Sequence, residues 1–552
     1  MTKSDLPAFV IWVKKKIKSI EKINAEKIET FLSSRKHGQN TSEFVIYLMI
    51  LVYTILFSYF TILKHQAFSS FAWDFGISHQ ALSTTLNNGR LFYYTPEQFF
   101  NPSGCYFGLH FSPILFLLLP VYALYQMPET LFVFQSFIIA LGALPLYLYA
   151  KNRFNSKLVA VSFSLLYLLY PPLQGANWFD FHVQSFLPLF FFSAMYCLET
   201  EKWIKYFAFI ILALMVAENV SLIVFFIGLY GILKYRSNLF GMLKQRKFPD
   251  KKILVMLTTM SLAIIWLLIA RWIQNTFFPI NPAFSSYYRA TDYWSVLGIK
   301  GDPISMPLYI ILNPLRMLQA LVYDAYLKFL FLILTFGSLL FLPITSSMLL
   351  ITLPFLGPAL LSNNDKFYVV GIHYPLYYIP FLFLAAIAGM HQIHNLTYSK
   401  IIGKIKNMLV IMSIFSLFAS PLSPLLLTST TSIPHFSEYS IPNIGNHEIT
   451  LQETIALVPQ NASVLTQNNI FPHFSGRINA YVVPLPQVFE YSPLEADEYM
   501  NQLIIESDYV LMDMLYDQYT GFLLLEKMGE YYKDFALIKY EDGIYLYRRR
   551  TS

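Results

Sequence analysis

Three acidic residues of this chain stand where they could do chemistry, because each lies among apolar residues at the end of a long apolar segment. Asp74 lies in Ala-Trp-Asp-Phe-Gly, Asp180 in Phe-Asp-Phe-His, and Glu218 in Val-Ala-Glu-Asn. A positioned carboxylate can take a proton from a hydroxyl group, and acids at membrane depth are usually functional. We therefore predict that these residues are catalytic, with Asp74 as the general base on an acceptor hydroxyl.

Each acid also has a structural interpretation that the sequence leaves open. Asp74 could cap the helix that starts after it. Asp180 could belong to a polar loop within an aromatic belt at the membrane surface. Glu218 could be an ordinary loop acid at the turn between two helices. The argument for chemistry is that all three are predicted to lie on one side of the membrane, at segment ends beside aromatic residues.

Asp180 and His182 are two residues apart, so both side chains are expected on one side of an extended segment. Such a pair could share a divalent metal ion, Mg²⁺ or Mn²⁺, or hold an acidic phosphate by charge-assisted hydrogen bonds. An isolated histidine at an interface can equally be structural. The polar residues predicted to bind substrate are His79, Gln80, His110, His182, Arg289, His373 and Tyr374.

The composition explains why so few charged residues are candidates. The chain has 552 residues, of which 55% are hydrophobic and 13% charged, whereas soluble domains carry about 25% charged residues. A soluble globule of this size could not bury so much apolar surface, because long chains divide into smaller domains. The 2 cysteines also exclude a disulfide scaffold. The sequence predicts an α-helical polytopic membrane protein with no nucleic-acid partner.

The distribution of basic residues predicts how the chain crosses the membrane. Residues 1–42 are basic and are predicted to form an amphipathic cytoplasmic arm, with a solvated helix as the alternative. Residues 43–428 form the transmembrane domain, with about eleven spans if the proline-containing segment His110–Gln126 does not cross. This arrangement places the basic loops in the cytoplasm, as the positive-inside rule requires. We expect a plasma-membrane protein with a cytoplasmic N-terminus.

The C-terminal region, residues 429–552, has a different pattern from the rest of the chain. From residue 430 onward it carries 16 acidic and 7 basic residues, a net charge of −9. Short strands are predicted at residues 462–466, 480–483 and 508–512, with helices at 496–507 and 518–532 and a hairpin around residues 541–543. Alternating strands and helices predict a small α/β domain, which we expect on the extracytoplasmic side.

A series of short motifs also runs along the chain in a specific order and spacing. The motifs are Trp73-Asp74-Phe75-Gly76, His110-Phe111-Ser112-Pro113, Gln135, Pro145, Asp180-Phe181-His182, Glu218, His373-Tyr374, residues 458–464, Asn468 and Arg477. Together they resemble a family of uncharacterised prokaryotic membrane proteins that is known only as a domain of unknown function. The resemblance covers roughly residues 42–477.

That family is in turn similar to the GT-C superfamily of membrane glycosyltransferases. The similarity implies a catalytic acid in the first outer loop, which matches Asp74, and a second acidic motif in the second outer loop, which matches Asp180. It also implies a polyprenyl-phosphate sugar as the donor. The second motif here is Asp-Phe-His, whereas several relatives have two acids at that place. This departure leaves metal dependence open.

The combined expectation is an inverting, GT-C-type glycosyltransferase. It would move a sugar from a polyprenyl-phosphate donor in the membrane lipid to a glycan, lipid or protein acceptor on the outer face. A lipid or lipid-linked-sugar flippase is the first alternative, and it would require polar groups near the bilayer midplane. A non-catalytic envelope assembly protein, whose acidic C-terminal domain binds a partner, is the second.

Overall fold

The computed structural model of the chain describes residues 38–236, 250–282, 293–299, 305–393, 396–423 and 442–550. The basic arm up to residue 37, most of the basic loop after residue 236, the predicted domain boundary near residue 429 and the substrate-binding candidate Arg289 lie outside these residues. Where it is described, the chain is mostly helical, and the named strands form one sheet near the C-terminus.

The described elements are numbered here in chain order. The helices of the first half are α1 (Gly38–Gln66), α2 (Ile77–Asn88), α3 (Leu115–Leu124), α4 (Pro128–Leu141), α5 (Ala143–Phe154), α6 (Lys157–Leu168), α7 (Pro171–Trp178), α8 (Leu187–Glu199), α9 (Trp203–Leu214), α10 (Val220–Lys234) and α11 (Lys251–Phe277). The second half has α12 (Met306–Leu312), α13 (Pro314–Val322), α14 (Ala325–Phe336), α15 (Leu353–Leu361), α16 (Ile379–Gln392), α17 (Tyr398–Ala419), α18 (Asn446–Ala456), α19 (Pro486–Tyr491), α20 (Pro493–Glu506) and α21 (Gln518–Glu530). The strands are β1 (Val464–Thr466), β2 (Ala480–Val482), β3 (Tyr509–Asp513), β4 (Phe535–Glu541) and β5 (Ile544–Arg549).

Several of these helices are long and apolar enough to cross a membrane. Among the described residues they are Thr41–Gln66, Pro128–Phe154, Lys251–Phe277 and Tyr398–Ala419. Two bent pairs, α6 with α7 and α13 with the helix after it, raise the number of candidate spans to 6 if each pair is one span. Further apolar helices have only 10–17 residues. The chain is therefore a multi-pass membrane protein, and the number of eleven spans stays a prediction.

Both bends have a local cause. The 45° bend between α6 and α7 occurs at Pro171 and Pro172, whose missing amides and bulky rings interrupt the preceding helix. The 77° bend after α13 occurs where Asp324 has a φ of +55°, which a continuous right-handed helix cannot contain. The first bend matters most for function, because α7 leads directly into the Asp-Phe-His motif.

The segment His110–Gln126 forms only the short helix α3. Its 10 residues would extend about 15 Å, against the ~30 Å of a bilayer core. The helix is therefore too short to cross the membrane alone, and the placement of this segment in the outer leaflet stays a prediction.

The two ends of the helical bundle differ in character. One end, called the charged end, carries ion pairs between elements that are separated along the chain: Lys151–Glu43 (4.0 Å), Arg153–Glu199 (2.5 Å) and Lys252–Glu201 (2.8 Å). The other end, called the loop end, consists of residues 67–76, 179–183 and 370–374. Helix α1 begins beside the charged end and finishes at the loop end, so its C-terminal turn is adjacent to the loops that carry Asp74 and His182.

The C-terminal region from residue 442 onward, called the tail, is an α/β domain as the sequence predicts. Its sheet has the order β2-β1-β3-β5-β4, in which β1 is parallel to β2 and β3 and the β3–β5 and β5–β4 pairs are antiparallel. The predicted hairpin is formed by β4 and β5, which turn at Asp542 and Gly543 with positive φ angles. Buried side chains of α20, α21 and the sheet make one of its apolar cores.

The tail is docked on the loop end of the bundle. The Ala72 amide donates to the backbone oxygen of Asn468 (2.9 Å), and Ser83 donates to the Gly476 carbonyl (2.7 Å). Phe68 and Ala72 belong to the same buried apolar cluster as the tail residues around β1. A Cβ atom on Gly76 would lie 2.8 Å from the Phe471 ring, so the close packing here requires glycine. The tail and the Asp74 loop therefore lie at the same end of the molecule.

Candidate functional site

Asp74 lies in a single turn of π-helix, Ala72–Gly76, between α1 and α2. Two amides fix the start of this turn: Phe71 N donates to Asp180 Oδ2 at 2.7 Å, and Ala72 N donates to the tail at Asn468. Such turns are rare and are frequently found at functional sites. Helix α2 begins after the turn with no side-chain cap, so the capping role considered for Asp74 does not apply. Its carboxylate is instead 28% exposed.

Asp74 forms a compact group with two histidines from other loops, called the loop cluster. His182 Nε2 lies 3.2 Å from Asp74 Oδ1, and the His182 and His373 rings stack with centroids 3.8 Å apart. One ligand atom from each of the three residues lies within 4.8 Å of the others. Among the described residues this is the group with the composition and spacing to hold a metal ion.

The two histidines are held differently. His182 Nδ1 lies 2.8 Å from the backbone carbonyl oxygen of Asp180, and the His182 amide donates to Gln135 Oε1 at 2.8 Å. His373 Nδ1 is buried without a hydrogen-bond partner among the described residues. Burial, followed by the neighbouring His182 and His110 rings, holds the pKa of His373 well below its ordinary value. His373 is therefore a neutral ring with a free nitrogen inside the site.

Asp180 is close to the loop cluster but its carboxylate has other partners. It is 1% exposed and pairs with the buried Lys64 ammonium group, with Nζ and Oδ1 3.4 Å apart. Burial raises the pKa of Asp180, and the positive charge of Lys64 opposes that rise. The pairing predicted from sequence, Asp180 with His182 as metal ligands, differs from the observed group, in which Asp74 and His373 accompany His182. Asp180 instead ties α1 to the Phe71 amide.

Glu218 holds the segment that begins at His110. Its carboxylate accepts a hydrogen bond from the Phe111 amide at 3.0 Å, and the neighbouring Ile114 amide donates to the Met215 carbonyl at 2.9 Å. Glu218 is 7% exposed, whereas His110 is exposed. The contacts of Glu218 thus fix the entry to α3, and it does not join the loop cluster.

His79 and Gln80 lie where the tail docks. His79 is buried between Ser475 Oγ (2.8 Å) and the Tyr122 hydroxyl (2.9 Å), and burial lowers its pKa to about 3. Gln80 Nε2 donates to the Arg477 carbonyl at 3.0 Å, so it too connects α2 with the tail. The structure places these two substrate-binding candidates at the domain contact.

The last described candidate, Tyr374, belongs to an aromatic stack beside the site. Its ring centroid lies 4.4 Å from that of His373 and 5.0 Å from that of Phe367. It therefore borders the loop cluster through His373, and its ring is one wall of that region.

Three residues of the site were absent from the sequence-based candidates. Lys64 neutralises Asp180, and Asn468 reaches from the tail to the Asp74 turn. Glu97 accepts a hydrogen bond from the Tyr94 hydroxyl at 2.6 Å, and burial and the charge of Asp74 raise its pKa while His110 lowers it. Lys64 had a sequence signal, because it is a charge in the last turn of an apolar helix. Asn468 was part of the motif series, and Glu97 stands in a polar stretch without such a mark.

A search of curated proteins finds no match. Residues 64–527 match the family of predicted membrane proteins designated DUF2079. The matched range contains the loop cluster, Asp180, Glu218 and the tail as far as α21. The chain belongs to the DUF2079 family of predicted membrane proteins.

Proposed function

We propose that the protein is a membrane glycosyltransferase that uses a polyprenyl-phosphate sugar as its donor. The observation that carries the proposal is the convergence of a partly exposed carboxylate, Asp74, with His182 and His373 at one end of an apolar bundle. Asp74 Oδ1 faces His182, which leaves Oδ2 as the atom we assign to the acceptor hydroxyl.

The proposed reaction is a single displacement at the anomeric carbon. The acceptor hydroxyl loses its proton to Asp74 and its oxygen forms the new bond to the sugar carbon. The bond from that carbon to the phosphate oxygen breaks, and polyprenyl phosphate leaves with the electron pair. The configuration of the anomeric carbon inverts, because the attack is from the side opposite to the leaving phosphate.

A lipid-borne donor suits the surroundings of the site. Helix α3 lies after the Glu218-held segment and exposes the apolar side chains of Phe116, Leu117 and Leu124. Such a surface can accommodate a polyprenyl chain within the lipid while the sugar phosphate extends to the loops. We place the loop end outside and the charged end in the cytoplasm, because Lys151, Arg153 and Lys252 belong to the charged end. Eleven spans are compatible with this orientation.

The flippase alternative has less support from the position of the acids. Transporters bind their substrates near the bilayer midplane, often at broken helices. The acidic residues of the candidate spans are Glu43 and Glu129, both within the first three residues of their spans, and Asp324, at a bend. The cluster of residues that could take part in a reaction lies instead at the loop end.

The test measures donor turnover, which does not depend on knowing the acceptor. Membranes that contain the full chain are supplied with a panel of polyprenyl-phosphate sugars, and the release of free polyprenyl phosphate is measured. Asp74→Asn should reduce the release by ~10²–10⁴-fold, the usual contribution of a general base. Asp365→Asn is the matched control, because Asp365 is an exposed acid in another loop. Undiminished release by the Asp74→Asn variant would refute the role assigned to Asp74.

A further inference from the structure

The contacts of the two ring nitrogens of His182 require a positive charge, a proton or a metal ion, between this ring and Asp74. Its Nδ1 lies 2.8 Å from the carbonyl oxygen of Asp180, which can only accept, so Nδ1 must carry a hydrogen atom. Its Nε2 lies 3.2 Å from Asp74 Oδ1. A neutral His182 would therefore direct a lone pair at a carboxylate oxygen. Either a proton or a metal ion has to lie between the two atoms.

His373 distinguishes these two possibilities. A proton between His182 and Asp74 leaves His373 Nδ1 buried and unsatisfied, which is unfavourable for a polar atom. It also places a cationic ring flat against a second imidazole, at a centroid distance of 3.8 Å. A metal ion removes both difficulties, because it accepts lone pairs from both rings and from the carboxylate at once.

We propose that Asp74, His182 and His373 bind one first-row transition-metal ion of the Zn²⁺ type. Two imidazole nitrogens and one carboxylate oxygen are a donor set that zinc uses in sites with an open fourth position. Mg²⁺ and Ca²⁺ prefer oxygen ligands, so this set disfavours them. Asp180 lies outside the ligand set, and its carbonyl orients His182 as outer partners of metal-bound histidines commonly do.

The observed geometry is close to that of a bound ion. Zinc bonds of about 2.1 Å place tetrahedral ligand atoms ~3.4 Å apart, and the Asp74 and His182 atoms are already 3.2 Å apart. All three ligand atoms lie within 4.8 Å, so a small rotation of His373 completes the set. That rotation breaks no hydrogen bond at Nδ1. The exposed side of Asp74 leaves the fourth position open to an oxygen ligand from outside.

Metal binding can be tested without any substrate, so the inference stands or falls separately from sugar transfer. The full chain is purified without a polyhistidine tag, stripped with a chelator and dialysed against Zn²⁺, Mn²⁺ or Mg²⁺ in parallel. Mass spectrometry of the metals then gives the ions bound per chain. We expect about one Zn²⁺ per chain and weak binding of Mg²⁺. His182→Ala and His373→Ala should each weaken Zn²⁺ binding by more than ~100-fold.

Two matched controls keep the result specific. His391→Ala removes an exposed histidine at the end of α16, and His447→Ala removes a histidine of the tail, and both should retain the ion. If the alanine variants do not fold, the visible spectrum of Co²⁺ bound to the wild-type chain and to His373→Gln replaces them. Absence of Zn²⁺ from the wild type, a preference for Mg²⁺, or binding unchanged without His182 and His373 would each overturn the proposal.

Discussion

Two groups of aspartate and histidine side chains in this protein have similar compositions and opposite hydrogen-bond balances. In the tail cluster, His447 lies with one ring nitrogen 2.9 Å from Asp513 and the other 2.9 Å from Asp542. A doubly protonated ring donates to both acids, so this cluster is complete by itself. In the loop cluster two rings share the one carboxylate of Asp74, and one ring nitrogen has no partner.

The difference lies in the ratio of acceptors to rings. Two carboxylates around one imidazole stabilise its cation and join the first turn of α18 to β3 and to the β4–β5 turn. One carboxylate beside two imidazoles leaves a ring-nitrogen lone pair without a donor among the described residues, and a metal ion can accept that lone pair. The same residue types therefore secure a fold in the tail and form an open site at the loop end. Substitutions and pH changes that act on the loop end or on the tail separately test this difference.

The largest effect should follow from removing the support of the loop cluster. Asp180→Ala leaves the Lys64 ammonium group buried without its counter-ion, since Lys64 is 5% exposed. It also removes the acceptor of the Phe71 amide. We expect a loss of about 3–5 kcal/mol in the free energy of unfolding, the usual cost of breaking a buried ion pair. Unfolding by sodium dodecyl sulfate, followed by circular dichroism, measures it.

A double variant separates the charge from the packing. Lys64→Met with Asp180→Leu replaces the pair by apolar side chains and should recover much of the lost stability. Zn²⁺ binding should be weaker in this variant than in the wild type, because the Phe71 amide no longer has its acceptor and the turn that carries Asp74 loses a hydrogen bond. A loss below about 1 kcal/mol in Asp180→Ala would show that the ion pair is unimportant.

A smaller effect is expected in acid, where the docked tail should loosen. The pKa of His79 is about 3 in the docked state, whereas a free histidine has a pKa of about 6.5. The undocked form therefore binds the extra proton, and docking weakens as the pH falls below 6.5. At pH 5 the cost is about 2 kcal/mol. Amide hydrogen exchange at Ser475 to Ala480, corrected for the intrinsic rate, should rise correspondingly.

The control for the acid effect is a residue that does not titrate. His79→Gln keeps a polar side chain between Ser475 and Tyr122 and should reduce the pH response of exchange between pH 5 and 7. The remaining response is expected from His473 of the tail, which stacks on His65 of the bundle and whose pKa burial lowers to about 4. An equal pH response in wild type and variant would assign the loosening to other groups.

The smallest effect is expected in the tail cluster. Here stability is lost as the pH rises, whereas docking at His79 weakens as the pH falls. Burial lowers the pKa of His447, but the hydrogen bonds and charges of Asp513 and Asp542 outweigh it, so the pKa is raised. Stability from this cluster is complete below a pH of about 6.5 and is lost as the pH rises through the raised value. The loss should be below about 1 kcal/mol, because Asp542 is 48% exposed and the pair is screened. His447→Gln should abolish the dependence, as measured by thermal unfolding at several pH values.

Local patterns predicted the tail better than they predicted the site. The strands, the two longer helices and the hairpin at Asp542 and Gly543 follow from residue alternation and turn chemistry, which act between near neighbours. The short α3 was also predictable, since two prolines and a limited apolar length are visible in the sequence. The π-helical turn around Asp74 was not, because it depends on acceptors from Asp180 and Asn468.

The site itself required the tertiary structure. Asp74, His182 and His373 were each candidates, but nothing in the spacing of three separate loops shows that their side chains meet. Asp180 was placed correctly beside His182 along the chain, yet its carboxylate pairs with Lys64, 116 residues away. Packing decides that the His182 ring contacts the carboxylate of Asp74 and not that of Asp180. The residues next to His182 in the sequence do not indicate this.

The contact between Ala72 and Asn468 also has a consequence for biosynthesis. The two residues are 396 positions apart, so at 5–20 residues per second the ribosome needs roughly 20–80 s between them. During that interval the Asp74 turn has been made, but the partner that fixes its second amide does not yet exist. The Asp74 turn is therefore completed only after most of the chain has been synthesised. Chains that terminate before Asn468 would lack the contact that fixes this turn.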